Sequence, residues 1–229
     1  MSTFVLVHGA GGTGGFWQLV APLLRAAGHR VAAPDLPNSP GATFADQAEA
    51  VVAAADGADD VVLVGQSMGA YPAALACARL PVRRLVLLNA MVPRPGESAG
   101  DWWEAVGQES ARVENDRRQG RDPGPGIVDE VHLLHDVTPE VLALLGGESG
   151  PAGSLFAAPF PLDGWPDVPI TVLVGREDRL FPLSLQRRVA RERLGLEVVE
   201  LPGGHLAALS QPEPVADALL AAAALRPGG

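Results

Sequence analysis

The pentapeptide Gly65-Gln66-Ser67-Met68-Gly69 directly follows the apolar run Val61-Val62-Leu63-Val64, and an Ala-rich segment over 70–79 comes next. A G-x-S-x-G pattern between a buried strand and a helix constrains the chain more than any other feature. The strand must turn into the helix so sharply that the serine takes a strained backbone geometry and its hydroxyl stands clear of the sheet. Gly65 and Gly69 omit the side chains that would collide where the helix folds back over the strand end. The pentapeptide alone is common; the strand before it and the helix after it make it informative.

A serine presented in this way needs a base to take its proton and an acid to orient the base. Ile170-Thr171-Val172-Leu173-Val174 is a β-branched run ending in Gly175-Arg176-Glu177-Asp178. Leu196 to Leu201 alternates apolar and acidic residues and reaches Pro202-Gly203-Gly204-His205. Each reads as a strand that ends in a Gly-containing loop presenting one functional side chain. Ser67, Asp178 and His205 therefore follow one another just past strand ends, the edge where open parallel sheets bind ligands. Glu177 is the one neighbouring competitor for the acid.

Upstream, Phe4-Val5-Leu6-Val7 leads into His8-Gly9-Ala10-Gly11-Gly12. A Gly-rich loop here lets backbone N–H groups point at a developing negative charge. The expected donors are the N–H groups of Met68, which follows the serine, and of Ala10. His8 reads as a brace for the turn rather than as a base. The loop does not complete a G-x-G-x-x-G fingerprint with a following ribose-binding acid, so a nucleotide site is not expected.

These residues, together with Trp17, Pro22-Leu23-Leu24, Ala27-Gly28-His29, Val31 and Asp35-Leu36, make the chain resemble the α/β-hydrolase superfamily. Within it the chain is similar to the small branch of plant methylesterases and hydroxynitrile lyases. The resemblance spans most of the sequence except about 92–166. It implies a Ser67–His205–Asp178 triad and an oxyanion hole from the N–H groups of Ala10 and Met68. Arg179-Leu180-Phe181-Pro182, after Asp178, resembles the family's loop at that site and favours Asp178 over Glu177. Hydroxynitrile lyases of this branch carry a lysine after the catalytic histidine and a threonine in the first loop. Here those positions hold Leu206 and Ala10, which favours hydrolysis over cyanohydrin cleavage. The leading antiparallel strands of larger superfamily members are expected to be absent.

The pattern predicts strands over 4–7, 31–33, 61–64, 85–88, 170–174 and 197–201. Helices are expected over 17–27, 43–55, 69–79, 183–194 and 212–225. This alternation predicts an α/β fold, a mainly parallel sheet of about six strands with helices on both faces. At 229 residues the expectation is a single α/β domain over 1–229, carrying a helical lid insertion over 92–166. Within the insertion, Asp101 opens a helix, 109–119 is a charged helix, and Thr138 caps a helix running to Leu145. Such an insertion would cover the serine and exclude water. Trp102, Trp103, Phe156, Phe160 and Trp165 are candidates to line its pocket, with ordinary packing as the alternative for each. His132, His135 and Asp136 have metal-ligand chemistry but no zinc-like spacing, so a solvent-facing or capping role and no metal are expected.

A net charge of −10 without a basic cluster argues against nucleic acid and acidic membranes as partners. The single cysteine, Cys77, rules out an intramolecular disulfide and is expected to be buried. No signal peptide or membrane span is legible, which suggests a cytoplasmic enzyme. The abundance of Ala, Arg, Gly and Pro without Lys suggests a bacterial gene. The expected partner is a small-molecule substrate, with a homodimer left open, and no cofactor is expected. The expected chemistry is hydrolysis of small, largely apolar esters, lactones or thioesters through an acyl-enzyme on Ser67. Lyase chemistry, C–C bond hydrolysis and low-turnover binding are the alternatives on the same fold.

Overall fold

In the computed structural model, which describes residues 1–145 and 153–225, six short β-branched and aliphatic runs form one sheet. The strands are β1 (Thr3–Val7), β2 (Arg30–Ala32), β3 (Val61–Gln66), β4 (Val82–Leu88), β5 (Ile170–Gly175) and β6 (Val198–Leu201). Their order is β2-β1-β3-β4-β5-β6, and every pairing is parallel. The sheet is covered on both faces, so its inner strands are apolar on both. Val5, Val7, Leu63, Leu85, Leu87, Val172 and Val174 bury into one core. Phe4, Leu6, Val62, Val64, Val86, Leu88 and Leu173 bury into the other. The two sets alternate along each strand, as the two-residue repeat of a pleated backbone requires.

Helices connect the strands as parallel pairing demands. On one face lie α1 (Val20–Ala26) and, from the end of the chain, α10 (Ala207–Ser210) and α11 (Pro212–Ala224). On the other lie α2 (Phe44–Ala54), α3 (Ala70–Ala76) and α9 (Leu183–Leu194). The Thr43 side chain accepts from the Asp46 N–H while the Asp46 carboxylate accepts from the Thr43 N–H, a reciprocal cap that starts α2. Gly195, at φ +68°, ends α9. The expected helix over 17–27 is divided, with a 3₁₀ turn at Gly14–Trp17 before α1.

Between β4 and β5 the chain leaves the alternation and forms α4 (Ala99–Ala105), α5 (Gln108–Arg118), α6 (Asp129–His132), α7 (Pro139–Leu142) and α8 (Gly153–Ala157). Thr138 caps α7 as expected, but the helix closes after one turn and 143–145 is turn rather than helix. The insertion is tied to α9 and its approach. Gln108 Nε2 donates to Leu180 O at 2.6 Å, and Arg193 pairs with Glu97 while Nη1 donates to Val92 O at 2.6 Å.

The chain enters at β1, passes outward to β2, then crosses back to β3. The strand order therefore reverses between β1 and β3, and ligands bind at such a reversal in open parallel sheets. The loop after β1 and the turn after β3 meet there so closely that a Cβ on Gly69 would lie 2.4 Å from His8 O and 2.9 Å from Val7 O. Gly164 has no such neighbour within 4 Å. Gly69→Ala should therefore cost about 1–3 kcal/mol by forcing the backbone apart. Gly164→Ala should leave the urea midpoint unchanged, and equal midpoints for the two variants would contradict this packing.

Candidate active site

Ser67 sits at φ +51°, in the left-handed region that side chains with a Cβ avoid. The conformation costs on the order of 1–3 kcal/mol, and the strand–helix junction imposes it. Beyond the ladder the hydroxyl meets an imidazole: His205 Nε2 lies 3.1 Å from Ser67 Oγ. On the far side of the ring, His205 Nδ1 lies 2.9 Å from Asp178 Oδ2. A carboxylate only accepts, so Nδ1 carries the proton and Nε2 is free to accept from the serine hydroxyl. A chain in this order can move the serine proton onto the ring while the carboxylate steadies the resulting imidazolium.

Both Asp178 and His205 are buried, and each is fixed by partners outside the chain of three. Asp178 Oδ1 accepts from the N–H groups of Leu180 at 2.9 Å and Phe181 at 2.8 Å, while Gln186 Nε2 donates to Oδ2 at 3.2 Å. The Phe181 ring meets the imidazole edge-on, centroids 4.8 Å apart. Glu177 points elsewhere: its Oε2 accepts from the Gly203 N–H at 2.6 Å. The acid nearest the imidazole is thus Asp178, and its neighbour braces the histidine's turn.

Asn89 is a residue that sequence reasoning missed. It follows β4, is wholly buried and sits at φ +44°. Its Nδ2 donates to Gly204 O at 2.9 Å and His205 O at 3.0 Å, and its Oδ1 accepts from the Gly175 N–H at 2.7 Å. One carboxamide therefore joins the loops that carry the acid and the histidine. A lone Asn after an apolar run carries no pattern, and only the three-dimensional closure of these loops reveals it.

The cleft over Ser67 has a volume of about 440 Å³. Ala10 and Met68 line it beside Ser67 and His205, and its apolar walls include Phe16, Trp103, Ile127, Phe156 and Leu206. Of the candidate lid aromatics, Trp103 and Phe156 face this space. Trp102 is buried against Phe181 with its Nε1 donating to Val92 O, and Phe160 stacks on Trp165 and meets Tyr71 edge-to-face. A second hollow of about 470 Å³ lies on the insertion and shares Trp103 and Ile127 with the first.

His132 and His135 do not face solvent. His132 is buried, its Nε2 3.2 Å from Asp116 Oδ2, within a cluster that Arg112 and Arg121 complete. The carboxylate at its centre, wholly buried, draws the cationic groups inward because an unpaired buried charge is costly. His135 is half-buried, with its ring packed beside the Gly203–His205 turn. Asp136 acts as a cap, accepting from the Gly204 N–H, and His132 Nδ1 accepts from the N–H of Val128, at the start of α6, at 2.9 Å. Among the described residues no group of three or more His, Cys, Asp or Glu side chains is arranged to hold a metal ion. Nor, among them, is any helix long and apolar enough to cross a membrane. Burial of Cys77 pushes its thiol up to about 12.

His8 holds the first loop in place. Its Nε2 accepts from the Leu36 N–H at 3.3 Å, so Nδ1 carries the proton donated to Gly9 O at 2.8 Å. Burial lowers its pKa, with the Gly9 carbonyl and Asp35 opposing weakly. The stability carried by neutral His8 is complete above the ordinary histidine value and is lost as pH falls toward the lowered one. Burial lowers His135 in the same direction. His8→Asn should therefore reduce, without abolishing, the fall in thermal midpoint between about pH 7 and 5. A fall as steep as that of the parent chain would assign the acid sensitivity to other groups.

The chain's relatives agree with this architecture. The alpha/beta hydrolase family profile matches residues 4–218. A probable esterase of Oryza sativa subsp. indica is 32% identical over 96% of this chain and 96% of its own. A pyrethroid hydrolase of Sphingobium wenxiniae is 26% identical over 96% of this chain and 86% of its own. The crystal structure of polyneuridine aldehyde esterase superposes with a TM-score of 0.75 at 26% identity, covering 96% of this chain and 98% of that one. With its all-parallel sheet and its likeness to the plant esterase branch, the chain belongs to the alpha/beta hydrolase family.

Proposed function

We propose that the chain is a serine esterase that cleaves small, largely apolar carboxylic esters through an acyl-enzyme on Ser67. The observation that carries this reading is the unbroken contact series from Ser67 Oγ to His205 to Asp178, at 3.1 and 2.9 Å. His205 takes the hydroxyl proton as Oγ attacks the ester carbonyl, and the C–O bond to the alcohol breaks as His205 returns that proton to the leaving oxygen. Water then attacks the acyl-enzyme by the same route and frees the acid. The N–H groups of Ala10 and Met68 receive the negative charge of each tetrahedral intermediate, a contribution of about 3 kcal/mol per donor. The insertion acts as the lid that excludes water.

The cleft supports an uncharged substrate. Leu206 stands in its wall directly after His205, where an apolar side chain cannot compensate a buried cyanide anion. The same wall favours an acyl chain by about 25 cal/mol per Å² removed from water. Names among the relatives, an esterase and a pyrethroid hydrolase, support ester cleavage.

A serine-directed fluorophosphonate, read by intact mass, tests the nucleophile: one equivalent should add to the parent chain and none to Ser67→Ala. Turnover of p-nitrophenyl butyrate with no mandelonitrile cleavage above background tests the bond. Cyanide release without hydrolysis of any ester, lactone or thioester would replace the esterase reading with a lyase.

The acid can be assigned by ranking two variants. Asp178→Asn should lower kcat by roughly 10⁴, the loss seen when a triad imidazole is left in the wrong tautomer. Glu177→Gln keeps an acceptor for the Gly203 N–H and should cost far less. The opposite ranking, in steady-state kinetics with p-nitrophenyl butyrate, would move the acid by one position.

The shared wall predicts chain-length selectivity. Trp103→Ala should join the two hollows, and the kcat/KM optimum across p-nitrophenyl acetate to decanoate should move to longer acyl chains. An unshifted optimum would place the acyl group elsewhere in the cleft.

A further inference from the structure

The turn Gly203-Gly204-His205 presents the imidazole that faces Ser67, and two consecutive N–H groups of that turn end on carboxylates. Gly203 donates to Glu177, which belongs to the loop after β5. Gly204 donates to Asp136 Oδ2 at 2.6 Å. The same oxygen accepts from Ser210 Oγ, in α10, at 2.7 Å. Asp136 belongs to neither loop nor sheet: it lies in the insertion, between α6 and α7. The insertion therefore reaches down to the residue immediately before His205 and bonds its backbone.

The fit at this point leaves no spare volume. A Cβ on Gly204 would lie 2.6 Å from His135 Cε1 and 2.9 Å from Asp136 Oδ1. Burial lowers the pKa of His135, and its ring packs against the turn. Its nearest approach to Asp136, 3.9 Å, is too long for a hydrogen bond. The charge of Asp136 Oδ2 is directed to the Gly204 N–H and the Ser210 hydroxyl, and bonds to an ionised acceptor are stronger than neutral ones.

We propose that Asp136 is a positioning residue for catalysis. By holding the Gly203–Gly204 peptide, one residue ahead of His205, it fixes the reach of the imidazole to Ser67, so the base is correctly placed only while this part of the insertion is seated. The role differs from that of Asn89 and Glu177, which hold the same turn from the sheet's own loops. It also divides the insertion: the segment around Asp136 stays docked during turnover, and substrate entry falls to the Trp103–Ile127 side. The proposal rests on the triad reading given above.

The test uses the full chain and compares the parent with Asp136→Ala, Asp136→Asn and Ser210→Ala. For each, kcat and KM with p-nitrophenyl butyrate and the rate of fluorophosphonate addition to Ser67 are measured per titrated active site, alongside the thermal midpoint. Asp136→Ala should lose about 10- to 100-fold in kcat and in phosphonylation with KM changed by less than about 2-fold, since a displaced group costs up to about that much. Asp136→Asn, which retains an oxygen acceptor for the Gly204 N–H, should recover most of the loss. Ser210→Ala, which frees Asp136 from one donor, should lose several-fold in kcat at unchanged KM, and it carries the test if Asp136→Ala does not fold. Per-site rates equal to the parent in the folded variants, with only a lower midpoint, would make Asp136 a purely structural anchor and overturn the proposal. An Asn variant as impaired as the Ala variant would overturn it as well. Failure of the triad reading is seen separately, without the Asp136 or Ser210 variants: no phosphonate adduct on the parent, or one that persists in Ser67→Ala, defeats both.

Discussion

Where the parallel strands stop, their ladder stops too, and the N–H and C=O groups of the following loops are left inside the protein without ladder partners. Buried backbone polar groups must find other partners. At this edge the partners are side chains: the Asn89 carboxamide, the Asp178 and Glu177 carboxylates, Gln186 and the His8 ring. The arrangement of the site follows from that requirement. Asp178 uses Oδ1 to close its own loop and Oδ2 to orient His205, so one carboxylate completes the backbone and holds the ring that faces Ser67. Its orientation is held by four donors, which is how a side chain on a loop acquires the rigidity of a strand.

The strain at Ser67 belongs to the same economy. A left-handed serine is unfavourable locally and persists because its surroundings determine it from both sides. β3 is paired along its length with β1 and β4, and α3 is packed into the core. The short passage between them has one available path, and the hydroxyl projects from it toward His205.

Much of this could be read from residues alone, for a definable reason. Strands and the α2, α9 and α11 helices follow a local hydrophobic repeat, and Ser67, Asp178 and His205 each follow a strand at a Gly-containing turn. Such signals are contiguous in sequence. Asn89 was not legible, nor was the group that Asp136 caps, because the partners lie in backbone atoms 86 to 116 and 68 residues away. For His132 the solvent-facing alternative fails: paired with Asp116 and beside Arg112, it joins a small polar core within the insertion. The short α7 and the division before α1 reflect a further limit, since helix ends are decided by what packs against them.

The bond from Asp136 to the histidine's turn limits how such a protein can diversify. Families on a common sheet are often pictured as exchanging insertions freely, with the catalytic loops as a constant chassis. In this chain the insertion is also a structural member of the chassis. A transplanted insertion that brought a wider binding surface but no acceptor for the Gly204 N–H would leave that group without its present partner, one residue from His205. Glycine at 204 carries the same history, because a Cβ there would press on the His135 ring and the Asp136 carboxylate of the present insertion. Recombination at this junction is therefore expected to succeed in matched pairs, an insertion travelling together with the few residues ahead of the histidine.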